Sequence, residues 1–535
     1  MSARHIAVVN FTRMGDLIQS GPLLRSLVSA NPGCRLTLVV FDKFRDAATR
    51  LPMVDDVIGF DVDSLSARLD ARRGDLPTAY GYIRSFLRHP LLQKVDDLYN
   101  LSHTPLSATL CRLMRPANTF GMQCTPSGRT TVRGEWFNYL LSVMSNRRLN
   151  PFNLSEIYLR MNGQGGDHSG LEFTITEDDR SAARALLEAA GIGMNERYVV
   201  LQPGASSASR QWPAASFADL ARRLANAKYR AVITGSVSEE TLAAQIAANS
   251  AQNAVSLAGK TNVGTLTAVL EGAERVISND TGTIHLSAAV QTPAIGIYLG
   301  PASAKDTAPY GDGHIILEAD EPCAPCDYQH HCRDYACHRA ISPETVFALI
   351  VNAGTSLPQV KGARVHRTSL TANGTFRLAR LNQPETGHDD ALLALYRTLW
   401  DALLDGPSPE HDVLLAECSE GLDDLRSILA QAQQSSDAIR REALKPDSDR
   451  DRLTALLKGQ SVWHNALCEI IASHPDLSPL PRFLLVRASA LHADTLKGYL
   501  EDLRITMRLF RRGVEILESV CKLSQPSRSS YAVAE

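Results

Sequence analysis

The chain has 535 residues, 44% of them hydrophobic, and a formal net charge of −3, which is typical of a globular protein with several domains. The charge argues against nucleic acid as the main partner, because no basic excess is available to neutralise phosphates. No apolar run approaches the ~20 residues that cross a bilayer, and residues 1–12 lack the apolar segment of a signal peptide, so we expect a cytoplasmic protein.

The chain opens with a strand, a glycine turn, a helix and a second strand, which predicts a parallel sheet. The strands are the apolar runs 5–11 and 35–41, and the turn is Thr12-Arg-Met-Gly-Asp16. This turn differs from the Gly-x-Gly-x-x-Gly fingerprint of dinucleotide-binding proteins, so the sequence lacks the strongest indication of a dehydrogenase. Asp16 follows the carboxyl end of the first strand, where open α/β sheets place a ligand crevice. Its alternative role is to cap the helix, and the two roles are compatible.

A glycine-rich stretch, 162–170, predicts a boundary between two domains. Beyond it the alternation of strands and helices starts again with the buried strand 198–202. That strand ends in Pro203-Gly-Ala-Ser206, and a glycine followed by small hydroxyl residues lets backbone N–H groups approach a diphosphate. Arg210 follows in the segment Arg-Gln-Trp-Pro, in which we expect Trp212 to be a packing residue.

A second helix start lies in the stretch 276–298. A buried strand stops at Asn279-Asp-Thr-Gly282, and the predicted helix that follows, through Val290, places His285 one turn from its start. Free N–H groups at a helix start carry roughly half a positive charge and bind phosphate readily. The alternatives are an ordinary capped helix and a buried structural histidine.

The motif N-D-T-G-x-x-H-L-x-A-A at 279–289 resembles the donor-site signature of glycosyltransferase family nine, the lipopolysaccharide heptosyltransferases. An Arg-x-Gly-Asp turn, a P-G-A…W-P segment, an A-G-K-T segment and a cysteine cluster stand in the family's order between residues 5 and 350. The resemblance implies an α/β fold of GT-B type. In it two Rossmann-like domains face each other across a cleft, with the acceptor on the first and the nucleotide-sugar donor on the second.

The resemblance also implies roles for single residues. Asp16 matches the general base that takes the proton from the acceptor hydroxyl. Arg210 stands where family members commonly carry a lysine that meets the donor phosphates, and arginine keeps the charge with a bidentate fork. Glu239 matches an acidic residue that contacts the ribose, and the adjacent Glu240 leaves the register open by one. The implied donor site comprises Gly204, Ser206, Arg210, Glu239, Lys260, Thr261, Asp280, Thr281, Gly282 and His285.

The function implied by the resemblance is that of an inverting glycosyltransferase. It would move a heptose from a nucleotide-diphosphate donor, ADP-heptose by family analogy, to a lipopolysaccharide core acceptor, with peripheral contact to the inner membrane. We expect no catalytic metal, because Arg210, Lys260 and the helix start at Asp280–Gly282 can stabilise the departing diphosphate. The alternatives are a transferase of the same fold for another sugar or acceptor, and a non-catalytic scaffold.

Four cysteines, Cys323, Cys326, Cys332 and Cys337, lie within fifteen residues. Four thiolates at this spacing can close around one tetrahedral ion, and a reducing compartment favours a metal over disulfides. The cluster predicts a structural zinc or iron site. The alternatives are reduced or disulfide-linked cysteines, and redox chemistry.

The sequence predicts four segments. They are an acceptor domain (1–165), a donor domain that includes the cysteine cluster 323–337 (171–353), a polar linker (354–388) and an all-α helical bundle (389–535).

The last predicted helix carries a heptad stripe of apolar residues from Leu496 to Cys521. We expect this stripe to pack within the bundle, with an interface of a homo-oligomer as the alternative. Arginines off the stripe can meet anionic lipid head groups; they are Arg504, Arg508, Arg511 and Arg512.

Overall fold

A computed structural model gives the structure of the chain. The residues that it describes are 3–70, 74–144, 147–163, 169–326, 332–352, 360–371, 374–382, 388–406, 419–445, 447, 449–491 and 495–523.

The chain divides into two compact units. The first comprises Met1–Asp97 and Phe152–Glu385, and the second comprises Leu98–Pro151 and Thr386–Glu535. This division differs from the predicted segments, because residues of the predicted acceptor domain fall in both units. The part of the predicted boundary at 164–168 lies outside the described residues.

The N-terminal elements alternate between strands and helices, as predicted for the opening of an α/β protein. In chain order they are β1 (His5–Asn10), α1 (Met14–Gln19), α2 (Gly21–Ala30), β2 (Arg35–Phe41), α3 (Arg45–Ala48), β3 (Asp56–Phe60), α4 (Val62–Leu69), α5 (Leu76–Leu87), β4 (Asp97–Asn100), α6 (Pro105–Met114), β5 (Asn118–Cys124), β6 (Thr130–Arg133), α7 (Glu135–Val143) and α8 (Leu154–Arg160).

The alternation continues through the middle of the chain. The elements there are α9 (Glu177–Ala189), β7 (Tyr198–Gln202), α10 (Ala214–Asn226), β8 (Arg230–Ile233), α11 (Glu240–Ala248), β9 (Ala254–Ser256), α12 (Val263–Glu271), β10 (Arg275–Asn279), α13 (Gly282–Ala289), β11 (Ala294–Tyr298), α14 (Ala304–Thr307), β12 (Ile315–Ala319), α15 (Ala336–Ala340), α16 (Pro343–Val351), β13 (Ala363–Leu370) and β14 (Phe376–Arg380).

The C-terminal part is helical wherever the structure describes it. Its helices are α17 (His388–Trp400), α18 (Ser419–Ala443), α19 (Arg450–Gly459), α20 (Ser461–Ser473), α21 (Pro479–Ser489) and α22 (Leu496–Leu523).

The first unit contains the parallel strands predicted at the start of the chain. β1 lies beside β2, with His5 opposite Arg35, and β2 lies beside β3. An eight-stranded sheet of the same unit has the order β14-β13-β12-β11-β10-β7-β8-β9. The six strands from β7 to β12 are parallel to one another, so their carboxyl ends share one edge of the sheet. This edge is where open α/β sheets bind ligands.

The core of the eight-stranded sheet explains why its strands are continuous apolar runs. Every residue of β7 and β11 is buried, as expected for parallel strands covered on both faces. Trp212 is buried beside Phe217 in this core, and its indole Nε1 donates a hydrogen bond of 3.0 Å to the carbonyl oxygen of Ile341. Trp212 is thus the packing residue that the sequence predicted.

The predicted linker, 354–388, is corrected by the structure. It contains β13 and β14, which extend the eight-stranded sheet as antiparallel strands. The hydrophobic pattern of the sequence does not predict β13, because the buried face of this strand carries polar residues such as His366 and Thr368. Nε2 of His366 lies 3.2 Å from Oε2 of Glu318 on β12, so this part of the sheet is held by a polar contact between two buried side chains.

The heptad stripe of α22 packs inside the second unit. Its central side chains are buried, and α22 lies against α17, α18 and α21. The buried members are Leu503, Met507, Phe510, Val514 and Leu517. The side chain of Cys521 lies outside the described residues. An oligomer interface through these helices remains a prediction.

None of the helices in the described ranges combines the length and the apolarity that a membrane span requires.

Candidate active site

The turn that carries Asp16 lies against the start of α13, within the first unit. A Cβ atom built on Gly15 would stand 3.1 Å from Cδ2 of His285 and 3.5 Å from Cα of Gly282. In the other direction, a Cβ atom built on Gly282 would stand 2.6 Å from Cε of Met14 and 3.4 Å from the backbone nitrogen of Gly15. The absence of a side chain at both glycines lets the two helix starts approach each other. The structure thereby brings together two motifs that lie more than 250 residues apart in the sequence.

Asp16 is the third residue of α1 and is partly buried. The backbone N–H of Arg13 donates a 3.4 Å hydrogen bond to Oδ2 of Asp16, which confirms its capping role. Burial raises the pKa of the Asp16 carboxyl, and the negative charge of Asp280 adds to this effect. Arg13, through its backbone bond and its charge, and Arg210, through its charge, lower the same pKa. Asp16 thus lies within the electrostatic reach of the start of α13.

Arg210 is held at the start of α13 by the residue that precedes the helix cap. Its Nη2 donates a 2.8 Å hydrogen bond to the backbone carbonyl of Asp280 and also forms a short ion pair with the Asp280 carboxylate. Its Nη1 donates a 2.9 Å hydrogen bond to Oγ of Ser206. Arg210 and Asp280 are both buried, with 8% and 6% of their surface exposed. A carboxylate repels a diphosphate, so we interpret Asp280 as the residue that orients Arg210 rather than as a phosphate contact.

Asn279 and Gln202 connect the loops of the candidate donor site, and the sequence analysis missed both. Nδ2 of Asn279 donates hydrogen bonds to the carbonyl oxygens of Pro203 and Gly204, at 2.8 and 3.1 Å. Oε1 of Gln202 accepts a 3.0 Å bond from Oγ1 of Thr234. The sequence signal that could have identified them is that each is a polar residue at the carboxyl end of a predicted buried strand.

The two adjacent glutamates face different loops. The carboxylate of Glu239 occupies the space that a side chain at position 204 would need, and Oε2 of Glu239 accepts a 2.7 Å bond from the backbone N–H of Ser236. The carboxylate of Glu240 occupies the corresponding space at Gly259. The structure therefore favours Glu239 as the acidic residue next to the phosphate loop.

Lys260 and Thr261, two further predicted donor residues, lie in the loop between β9 and α12. Lys260 is exposed, and its Nζ donates a 3.2 Å hydrogen bond to the carbonyl oxygen of Ser256 in its own loop. Thr281, by contrast, is at the cap of α13, where its hydroxyl lies 3.0 Å from that of Ser278.

His285 is a buried, neutral residue. It is 2% exposed, and burial lowers its pKa to about 4, so it carries no charge at pH 7. Its Nδ1 has no hydrogen-bond partner within the described part of the chain. The structure thus favours the buried alternative from the sequence analysis over a cationic contact with the donor.

Tyr158 of α8 is a further neighbour of Asp16. Its side chain is buried, and burial together with the charge of Asp16 raises the pKa of the Tyr158 phenol. Tyr158 lies among five consecutive buried residues of α8 and in no recognisable motif, so no signal in the sequence could have identified it.

The four clustered cysteines are close enough to interact. Burial first, and then the neighbouring thiols of Cys323, Cys337 and Cys332, raise the pKa of Cys326 to about 11. A set of four thiols suits a soft ion. No group of three or more potential ligand side chains is arranged to hold a metal in the described part of the chain, which omits 327–331. The metal site therefore remains a prediction.

The cysteine segment is attached to the loop of Arg210. The imidazole Nε2 of His338 lies 3.0 Å from the carbonyl oxygen of Ser209, within hydrogen-bond distance. The backbone N–H of Cys326 donates a 2.9 Å bond to the carbonyl oxygen of Gly300. Gly300 in turn packs against Ser209, so the cysteine segment supports the backbone next to Arg210.

The fold of the described residues is of the α/β class. The chain is similar in fold to the crystal structure of the glycosyl transferase family 9 from Veillonella parvula DSM 2008. The match has a TM-score of 0.53 at 20% identity and covers 65% of this chain and 98% of that one.

Residues 129–335 match the family model described as Glycosyltransferase family 9 (heptosyltransferase). The chain is 34% identical over 134 residues to "Lipopolysaccharide heptosyltransferase 1" of Pseudomonas aeruginosa, and 32% identical over 134 residues to "Lipooligosaccharide heptosyltransferase 2" of Haemophilus influenzae. These matches cover 24% of this chain and 36% and 38% of the two relatives. The chain thus spans a little over a third of the length of these two curated relatives.

Proposed function

We propose that this chain is an inverting heptosyltransferase that moves a heptose from ADP-heptose to a lipopolysaccharide core acceptor. The observation that carries this proposal is the contact between Gly15 and His285, which holds Asp16 beside the start of α13. The family domain and the names of its relatives support the sugar and the acceptor class.

Asp16 acts as the general base in the proposed reaction. Its carboxylate removes the proton from the acceptor hydroxyl while the oxygen attacks the anomeric carbon of the heptose, and the bond from that carbon to the diphosphate breaks. One displacement inverts the configuration at that carbon. The raised pKa of Asp16 makes it a better proton acceptor than an exposed aspartate, and base catalysis of this kind contributes about 10²–10⁴ in rate.

The start of α13 and Arg210 stabilise the departing diphosphate. The backbone N–H groups at Gly282 and Thr283 begin the helix and carry its positive end. Arg210 adds a guanidinium whose position is fixed by Asp280 and Ser206. The exposed Lys260 supplies a further cation from its own loop when the donor binds. Because these groups provide fixed positive charge, the proposed mechanism uses no catalytic metal.

Two further parts of the predicted organisation remain proposals. One is the GT-B arrangement of an acceptor domain (1–165) and a donor domain (171–353), with the helical region from 389 as an extension. The other is a structural zinc or iron ion at the four clustered cysteines. The proposed donor and acceptor also imply that the transfer reaction takes place at the cytoplasmic face of the inner membrane.

The experiment that tests the function compares Asp16→Asn with Asp63→Asn. Both aspartates stand in the first turn of a helix, and Asp63 is an exposed residue of α4. We expect wild-type chain and Asp63→Asn to release ADP from ADP-heptose in the presence of a heptose-free core acceptor. We expect Asp16→Asn to release ADP about 10²–10⁴-fold more slowly than wild type, while its affinity for ADP stays unchanged.

Other outcomes would change the proposal. Full activity of Asp16→Asn would exclude this residue as the base. Transfer from another nucleotide sugar, but not from ADP-heptose, would favour a transferase of the same fold for another sugar. Failure of transfer with every donor would favour a non-catalytic scaffold. Loss of activity with EDTA and recovery with Mg²⁺ would contradict the metal-free mechanism.

A further inference from the structure

The helices α18 and α22 of the second unit form a groove lined by cationic side chains. Two adjoining cavities, of about 260 and 440 Å³, share Arg440, Leu500 and Arg504 in their linings. We call the region the arginine groove and define it by Arg440 of α18 and Arg504, Arg508 and Arg511 of α22. All four arginines are exposed.

The charge of the arginine groove is only partly compensated. Arg504 pairs with Glu501, at 2.6 Å from Nη2 to Oε1, and Nη2 of Arg511 donates a 2.9 Å bond to Oε1 of Gln433. Arg440 and Arg508 take part in no ion pair within the described residues. Lys497 adds a further cation, and Asp437 and Glu501 are the acidic residues in the lining. The region is therefore locally basic on a chain of net charge −3.

The arginines of the groove lie close together. The hydrogen bond from Arg504 lowers the pKa of Glu501, and the charges of Arg508 and Arg440 lower it further. Cations held near one another on two packed helices repel each other, so an anionic partner stabilises them. Guanidinium groups suit phosphate in particular, because their planar fork matches two of its oxygens.

Apolar side chains accompany this charge. Leu444, which directly follows α18, and Leu496 of α22 are 67% and 40% exposed at one end of the groove. Exposed leucines beside cations are typical of surfaces that lie on a bilayer, where the leucines enter the acyl region and the arginines meet phosphates. Nucleic acid is a poorer match, since the residues that line the two cavities include no aromatic ring on which a base could stack.

We propose that the arginine groove is a docking surface for a membrane that contains anionic phospholipid. It binds lipid phosphates through Arg440, Arg504, Arg508 and Arg511, and it inserts Leu444 and Leu496 at the bilayer surface. This binding is independent of the transfer reaction and holds whether or not the chain transfers heptose.

The test is flotation of the full chain with vesicles of phosphatidylcholine alone and of phosphatidylcholine mixed with phosphatidylglycerol. The groove variant is Arg440→Gln with Arg508→Gln. The matched control is Arg441→Gln with Arg450→Gln, which removes the same charge from two exposed residues outside the lining of the groove. Each arginine near an anionic surface contributes about 5-fold in affinity, so we expect the groove variant to bind mixed vesicles roughly 25-fold more weakly than wild type.

The control variant should bind these vesicles like wild type, and salt should weaken binding by screening. The proposal is overturned if wild type fails to float, if it floats equally with neutral vesicles, or if both variants lose binding alike. Saturable binding of inorganic phosphate or of single-stranded RNA that requires the groove arginines, without flotation, would replace the membrane with that ligand. Thermal unfolding of both variants identifies any loss that comes from misfolding.

Discussion

Nη2 of Arg210 lies 2.8 Å from the backbone carbonyl oxygen of Asp280, and the same group forms an ion pair with the Asp280 carboxylate. Both residues are buried, and they join the loop after β7 to the end of β10. A buried pair of this kind stabilises a protein little over an apolar pair, but removing one partner leaves the other charge buried alone. The pair therefore fixes the position of the Arg210 guanidinium, and it adds little to the stability of the fold.

The first prediction concerns this ion pair. Asp280→Ala should lower the free energy of unfolding by about 3–5 kcal/mol, because it leaves the Arg210 guanidinium without its partner. Arg210→Met with Asp280→Leu should recover most of the stability but not the affinity for ADP. The control is Asp219→Ala, which breaks the partly exposed pairs with Arg222 and Arg223 and should cost about 0–1 kcal/mol.

Urea denaturation measures the stabilities, and titration with ADP measures the affinity. Normal ADP binding by the double variant would show that Arg210 does not contact the donor phosphates.

The second prediction concerns the contact between the two helix starts. Gly15→Ala should destabilise the chain by about 1–3 kcal/mol, because the new methyl group would stand 3.1 Å from the buried ring of His285. Gly282→Ala should cost less, since its nearest obstacle is the flexible end of Met14. Gly21→Ala is the control: a Cβ atom there meets nothing within 4 Å. We expect it to be neutral or stabilising by up to ~1 kcal/mol. Equal unfolding midpoints for Gly15→Ala and Gly21→Ala would contradict the close approach.

The third prediction is a dependence of stability on pH. Burial lowers the pKa of His285 and of His314 to about 4, whereas an unfolded histidine titrates near ~6.5. Between these values the unfolded chain binds more protons, so stability falls as the pH decreases from ~6.5 to ~4. Each histidine contributes roughly 3 kcal/mol to this loss.

The measurement is urea unfolding between pH 7 and pH 5, with His285→Gln compared with wild type. The variant should show a smaller pH-dependent loss than wild type. The remaining loss comes from His314 and from other histidines whose pKa burial lowers, such as His103 and His464. An unaltered slope in His285→Gln would mean that this histidine is solvated.

The fourth prediction concerns the predicted structural metal. Protein purified under reducing conditions should contain about one zinc or iron ion per chain by elemental analysis, and chelation should lower the melting temperature. The pKa of the Cys326 thiol is about 11, so metal binding at pH 7 displaces protons and should strengthen as the pH rises. Cys326→Ser should remove the ion, and the exposed Cys468→Ser should retain it. A metal-free wild type would favour reduced or disulfide-linked cysteines.

The local elements of the site could be predicted from the sequence. The strand and turn before Asp16, and the strand that ends at Asp280 before α13, follow from apolar runs of strand length and from the glycine and capping residues after them. The stripe of α22 was equally clear, because a regular seven-residue repeat on a long helix leaves few alternatives. These features depend on residues that are near one another in the chain.

The sequence by itself determined the α/β class, the family resemblance and the residue types at both helix starts. These features depend only on local periodicity and on short motifs. The tertiary structure decided which partner each polar residue has. It assigned Asp280 to Arg210, neutralised His285 by burial, placed Tyr158 near Asp16, and built β13 from a polar stretch that pairs with β12. Such pairings depend on contacts across tens to hundreds of residues, and burial and charge in the folded state, not periodicity, select them.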